Sequence, residues 1–217
     1  MKNLTFLLTL AFLFNLTTKS QDVKIGVFVD PQITWMSPES REVESEGTVM
    51  GIGGGLMVNK YFAKNYAFST GMSIGTQGGK LLFPDSITIT DSEGDTTLPA
   101  NTKLDYHLQF ITVPVGLTLK SNQIGYASLF VNVGINGKIN IKAKASSSGG
   151  ELNKDVIKKE ISVFNVGYQF GGGIEFELTQ DTSILVGIFY SNGLLDVTKD
   201  EPKVTAGNVA LRLGIIF

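Results

Sequence analysis

The sequence predicts an all-β chain, an eight-stranded antiparallel up-and-down transmembrane β-barrel, and three observations carry that expectation. Glycine is abundant, 25 of 217 residues, while cysteine is absent. Eight segments alternate large apolar residues with small or polar ones at a period of two, the repeat of an extended strand. The connections between those segments alternate between short and long. Glycine weakens helix interiors but suits tight turns and close backbone approach, so its excess, set against the usual ~7%, argues against a helical bundle.

The first strand sets Val23, Ile25, Val27, Val29, Ile33 and Trp35 against Lys24, Gly26, Phe28, Asp30, Gln32 and Thr34. The second, Thr48 to Asn59, opposes Met50, Ile52, Leu56 and Val58 to a face made mostly of glycine. The third, Tyr66 to Gln77, opposes Phe68, Thr70, Met72 and Ile74 to Ala67, Ser69, Gly71, Ser73 and Gly75. The fourth, Lys103 to Lys120, breaks the rule: Leu104, Tyr106, Leu108 and Phe110 hold one parity and Ile111, Val113, Val115 and Leu117 the other. A one-residue slip is therefore expected, a β-bulge near Phe110 to Pro114, where Pro114 cannot donate to the ladder.

In the fifth strand Leu129, Val131, Val133, Ile135, Ile139 and Ile141 oppose a face running from Ser128 to Lys142. The sixth sets Phe164, Val166, Tyr168, Phe170, Ile174, Phe176 and Leu178 against Asn165, Gly167, Gln169, Gly171, Gly173, Glu175 and Glu177. The seventh, Thr182 to Ser191, offers Ile184, Val186, Ile188 and Tyr190; the eighth offers Val209, Leu211, Leu213, Ile215 and Phe217 against Asn208, Ala210, Arg212 and Gly214.

The second face is rich in Gly, Ala, Ser, Asn and Gln, which suits a narrow closed lumen, whereas a water-exposed face should be rich in Lys and Glu. The greasy faces are then expected to meet lipid. Closure removes sheet edges and satisfies the backbone groups that lipid cannot. Asn59 to Asn65, Ser121 to Gln123 and Thr179 to Asp181 read as short periplasmic turns, and Ser37 to Gly47, Leu81 to Thr102, Ala145 to Lys158 and Asn192 to Thr205 as long external loops. Aromatic girdles are expected from Tyr61, Phe62, Tyr66, Tyr126, Phe176 and Phe217 at the lower interface, and from Trp35, Tyr106, Phe164 and Tyr190 at the upper one. This is the architecture of small OmpA/OmpX-type barrels.

Residues 1–20 read as a cleaved signal peptide: Lys2 precedes the apolar run Leu4 to Leu16, and polar Thr17 to Ser20 follow. Residues 21–217 then form a single barrel domain, expected in the outer membrane after export. A lone membrane anchor is the competing reading, for which the run is short. A net charge of -2 leaves no nucleic-acid footprint, and the lack of cysteine removes thiolate metal sites, thiol catalysis and a lipoprotein anchor.

The stretch Tyr106-His107-Leu108-Gln109-Phe110-Ile111-Thr112-Val113-Pro114-Val115-Gly116-Leu117-Thr118-Leu119-Lys120 carries a tyrosine, a proline eight residues on, a valine and then a lysine. In this it resembles PorT-like outer-membrane β-barrel proteins of Bacteroidetes. Gly171 to Phe176, Ile188 to Leu194 and the ending Leu213-Gly214-Ile215-Ile216-Phe217 resemble that family's following hairpin and terminal strand, and a final Phe resembles the signal that barrel-assembly machinery reads. The resemblance implies fold and location; the namesake's association with type IX secretion and gliding is not carried over.

Inside the expected lumen, Lys24, Asp30, Lys138, Lys142, Glu175, Glu177 and Arg212 must pair, because an unpaired buried charge is costly. Arg212 is expected to meet Glu175 or Glu177, and Lys24 to meet Asp30 or a neighbouring carboxylate. A conducting pore is the competing reading, although eight strands leave a lumen mostly filled by side chains. His107, the single histidine, shares parity with Asp105 and Gln109, but no motif supplies a nucleophile and orienting group beside it. Asp91-Ser92-Glu93-Gly94-Asp95 lacks the later ligands of a calcium loop. Gly51-Ile52-Gly53-Gly54-Gly55-Leu56 lacks the last glycine and following helix of a dinucleotide loop. No catalytic, cofactor-binding or metal-ligating set is therefore assigned.

The expected role is structural, adhesive or complex-assembling through the external loops, by a monomer whose partners are outer-membrane lipid and envelope proteins, and not nucleic acid. Within Leu81 to Thr102, Ser86 to Thr90 is expected to pair with Thr96 to Leu98 as a hairpin open to strand addition. Two alternatives stand beside this: a soluble periplasmic barrel holding an apolar ligand, with every strand facing the other way, and a lipid-modifying membrane enzyme using His107.

Overall fold

A computed structural model describes residues 23–39, 43–90, 95–150, 153–157, 160–199 and 202–217. The expected signal segment lies outside them. Among the described residues there are twelve strands: β1 (Val23–Pro38), β2 (Glu44–Gly47), β3 (Val49–Ala63), β4 (Tyr66–Phe83), β5 (Ile87–Thr90), β6 (Asp95–Leu98), β7 (Thr102–Lys120), β8 (Ala127–Ser147), β9 (Asn153–Val156), β10 (Phe164–Glu177), β11 (Ser183–Gly193) and β12 (Val204–Ile216). Eight of them, β1, β3, β4, β7, β8, β10, β11 and β12, pair antiparallel with both neighbours and close into a barrel, as the alternating pattern predicts.

The seam is made by the first and last strands, in a register that runs from Gly26 opposite Ile216 to Pro38 opposite Val204. It is locked at one end by Ile25 and Phe217, whose backbones exchange hydrogen bonds of 3.2 and 2.7 Å. At that end the connections are short; the β7–β8 turn contains Gly125 at φ 66°, a left-handed conformation that a Cβ would strain. At the other end β2 adds to β4, β9 adds to β8, and β5 and β6 form a separate hairpin as expected from Ser86 to Leu98.

Along the lower two-thirds of the wall the greasy faces point outward. Ile52, Leu56, Phe68, Met72, Val115, Leu129, Ile135, Phe170, Ile188 and Leu211 are all exposed, while Gln32, Asn59, Thr118, Asn132, Asn136, Asn165 and Asn208 are buried inside. In water such a belt would leave roughly 1.5–3 kcal/mol of transfer free energy per large side chain unrealised, so lipid is its proper solvent. The soluble barrel with an apolar interior is overturned by this facing.

The fourth sequence segment does not need the slip that its pattern suggests. In β7 the even residues face inward throughout, from Leu104, Tyr106, Leu108 and Phe110 down to Thr118, and the odd residues face outward, from Lys103 to Leu119. The backbone keeps its parity while the surroundings exchange: below Phe110 the outside is lipid and the inside polar, and above it the outside is aqueous and the inside apolar. The bulge lies on the neighbouring strand. Gln109 opposes Lys142 and Phe110 opposes Asn140, so Ile141 is the extra residue of β8. Beyond it Ala143 and Ala145 turn inward and Lys142 turns out to solvent, whereas its parity in the sequence points it into the lumen.

Tyr106 is likewise no girdle residue, since it is buried inside the upper barrel. The upper girdle is made by Trp35, Tyr168, Phe170 and Tyr190, with Phe170 stacked on Tyr190 at 4.9 Å between ring centres. The lower one includes Phe62 against Tyr66 and Phe68, and Tyr126 against Phe176.

Candidate functional site

Three layers fill the barrel from bottom to top. In the lowest, Lys120 Nζ lies 2.7 Å from Glu175 Oε1, an ion pair that spans from β7 to β10 without hydrogen-bond alignment. Around it Asn132 Nδ2 donates to Thr118 Oγ1 at 2.9 Å, Gln169 Nε2 donates to Asn132 Oδ1 at 3.1 Å, and Ser69 bridges Asn59 and Thr118. These amides and hydroxyls satisfy one another where water has little room.

The middle layer is a septum. Arg212 grips Asp30 through Nε and Nη2, with N···O distances of 3.0, 3.3 and 2.7 Å. Its guanidinium lies between two rings, 3.8 Å from the centre of Phe28 and 4.0 Å from that of Phe189. Glycine makes the space: a Cβ on Gly171 would stand 2.6 Å from the Phe189 ring. A bidentate carboxylate and two π-faces leave the cation well compensated. The expected pairing of Arg212 with Glu175 or Glu177 is thus corrected. The physical reason is closure: β12 lies beside β1, so Arg212 faces Asp30 across the seam, and Glu175 is left to Lys120. Asp30 is in turn taken, so Lys24 does not pair with it.

Above the septum lies a chamber of about 70 Å³ lined by Asp30, Gln77, Asn136, Lys138, Ser191 and Arg212 among others. A polar chain crosses it: Lys138 Nζ donates to Gln77 Oε1 at 3.3 Å, Gln77 Nε2 to Asn208 Oδ1 at 2.8 Å, Asn208 Nδ2 to Gln32 Oε1 at 2.8 Å, and Gln32 Nε2 to the Thr76 carbonyl at 2.8 Å.

The top layer is an apolar cap. Met36, Leu81, Phe83, Leu104, Tyr106, Leu108 and Phe110 come from the upper strands, and all four long connections add to the same cluster: Val43, then Ile89 and Leu98, then Ile157 and Ile161, then Val197. Burial, with Glu160 as a lesser cause, pushes the Tyr106 phenol far above its usual value of 10.0. The outer wall of this region is charged, with Lys103 and Glu46 in contact and Lys80 3.5 Å from Asp105. Sequence reasoning misses this cap, because apolar loop residues in isolation look like noise; the signal that could have found it is the apolar parity of Leu104 to Phe110.

His107 sits on that outer wall, exposed, opposite Gly78 on β4 and Lys144 on β8. Gly51 to Leu56 lies in β3, extended, as wall rather than phosphate loop. Asp91 to Gly94 and the Asp95 side chain lie outside the described residues.

The closed eight-stranded wall with an apolar exterior and a packed polar lumen fixes the architecture, and the family follows from the sequence. The profile described as "Outer membrane protein beta-barrel domain" matches residues 10–199. The chain belongs to this family. It is an outer-membrane β-barrel protein, and the lipid-facing belt meets the outer-membrane bilayer. Solved structures to which this chain is similar include Neisserial surface protein A, at 10% identity over 89% of this chain and 95% of that one with a TM-score of 0.48. OprG from Pseudomonas aeruginosa matches at 11% identity over 92% and 97%, TM-score 0.46. Ail, the attachment invasion locus protein of Yersinia pestis, matches at 15% over 90% and 99%, TM-score 0.44. No curated protein matches this chain in sequence.

Proposed function

We propose that this outer-membrane barrel protein is a non-catalytic scaffold whose extracellular cap docks envelope or surface partners, in adhesion, complex assembly or envelope integrity. The observation that carries the reading is the convergence of all four long connections on one apolar core. Loops joined in this way present a fixed surface, which lowers the ordering cost of binding. The β5–β6 hairpin stands apart from the barrel sheet, so its outer strand edges suit partner addition. A monomer embedded in lipid satisfies its own belt, and partners then engage only the cap.

The finer placing among PorT-like barrels rests on Tyr106, Pro114 and Lys120 together with Gly171 to Phe176. Their positions give that pattern a physical sense: Tyr106 seals the cap, Pro114 lies on the inner face, and Lys120 pairs with Glu175 of the second segment.

The test replaces residues 85–99 by a short Gly-Ser turn in the full chain, in the native host. Heat-modifiable migration checks that the barrel still closes; blue-native gels, surface adhesion and detergent sensitivity read the function. A normal barrel with a lost complex, lost adhesion or a leaky envelope supports docking through the cap. A normal barrel with all three readouts unchanged refutes it.

A further inference from the structure

Charge in the lumen does not balance. Asp30 and Arg212 neutralise each other, as do Lys120 and Glu175, but Lys138 is left over. It is only 4% exposed, and among the described residues no carboxylate lies within ion-pair distance of it. Among the described residues its one hydrogen-bond partner is the neutral Oε1 of Gln77, at a long 3.3 Å. A buried ammonium in such surroundings either loses its proton or keeps a counter-ion.

The chamber beside it has the means to keep one. At about 70 Å³ it has room for more than one water-sized particle, which needs about 10–15 Å³ of such volume each. Donors converge there. Ser191 accepts from Asn136 Nδ2 at 3.1 Å, which leaves its own O–H to donate, and Arg212 spends Nε and Nη2 on Asp30 and retains Nη1. Lys138 has two further N–H groups. Asn136 Oδ1, buried without a protein donor, is suited to a water shared with the ion. The septum lies below the chamber, and Phe110 of the apolar cap adds to its lining.

We propose that this chamber is a binding site for one small monovalent inorganic anion of chloride size, held by Lys138 with Ser191 and the free edge of Arg212. The site is independent of the cap's partner.

The test uses the full-length folded protein in a neutral detergent. Thermal unfolding is followed while sodium chloride replaces sodium gluconate, an anion too large for the chamber, at constant ionic strength. The midpoint is expected to rise with the logarithm of chloride in the native protein and to stay flat in Lys138→Gln, as binding linkage requires. Crystals of the unaltered protein grown in sodium bromide give a second readout that does not depend on the variant folding. An anomalous peak within hydrogen-bond distance of Lys138 Nζ supports the site. A flat chloride response in the native protein, or a chamber without a bromide peak, overturns it.

Discussion

The membrane-spanning wall and the sleeve above it are made by the same strands with opposite rules. In β7, Val115 and Leu117 point out into lipid and Thr118 points into the lumen; a few residues higher, Lys103 and Asp105 point out into water and Leu104 and Leu108 point in. Backbone geometry is the same in both halves. What differs is which side holds the apolar medium: in the lower half the bilayer supplies it, and in the upper half the chain must build its own from loop residues. Alternation therefore reports two faces, and only the surroundings decide which face is the core.

The sharpest way to break the comparison is Ala143→Lys with Ala145→Lys. The pair puts lysines where two fully buried alanines face the cap, a burial of two charges expected to cost more than about 4 kcal/mol of cap stability. Limited proteolysis should cut the long connections of this variant while the lower barrel keeps its heat-modifiable migration. Next, Asp30→Asn strips the septum cation of its carboxylate and should lower stability by about 3–5 kcal/mol, whereas a double change to Asp30→Leu with Arg212→Met should recover much of the loss. Urea titration of the folded barrel reads both.

Leu104→Ala empties a fully buried place in the cap and should cost about 2–5 kcal/mol there. Protease sensitivity confined to the loops is the expected mark, and a lowered midpoint for the whole barrel would show that the two halves unfold as one. Alkaline pH loosens the same region more gently. Because the folded cap holds Tyr106 protonated beyond its usual range, the unfolded form releases its proton first, so stability is level below about pH 10 and falls as pH climbs above it. Tyr106→Phe should flatten that fall in a loop-proteolysis profile. Leu129→Ala on the lipid face should cost less than Leu104→Ala, about 1–2 kcal/mol, since lipid closes over the lost methyls and no cavity adds to the lost transfer free energy.

All eight barrel strands and the closing of the sheet are legible in the sequence, because alternation sustained over ten or more residues arises almost only in a strand with two unlike faces. Two features are not. The apolar residues change parity in β7, which points to a slip there, yet the slip sits in β8; in that strand Ile135, Ile139 and Ile141 continue one apolar row and the alanines that follow carry almost no signal. Proximity in the chain suggests the wrong ion pairs, since a closed barrel rearranges proximity: Asp30 and Arg212 are 182 residues apart and directly across the seam. Counting register from the two ends would find that pair. The cap lies beyond the reach of periodicity, because it needs residues from four separate connections, none of which is periodic.

The seam also sets when this protein can come into being. Since the wall is completed only by pairing β1 with β12, a nascent chain lacking its last strand has two open edges and no lumen, however much of it has been made. Maturation is therefore all or nothing along the chain: no N-terminal fragment is a smaller barrel, and every copy must be carried unfolded, greasy faces shielded, until its final residues are in hand.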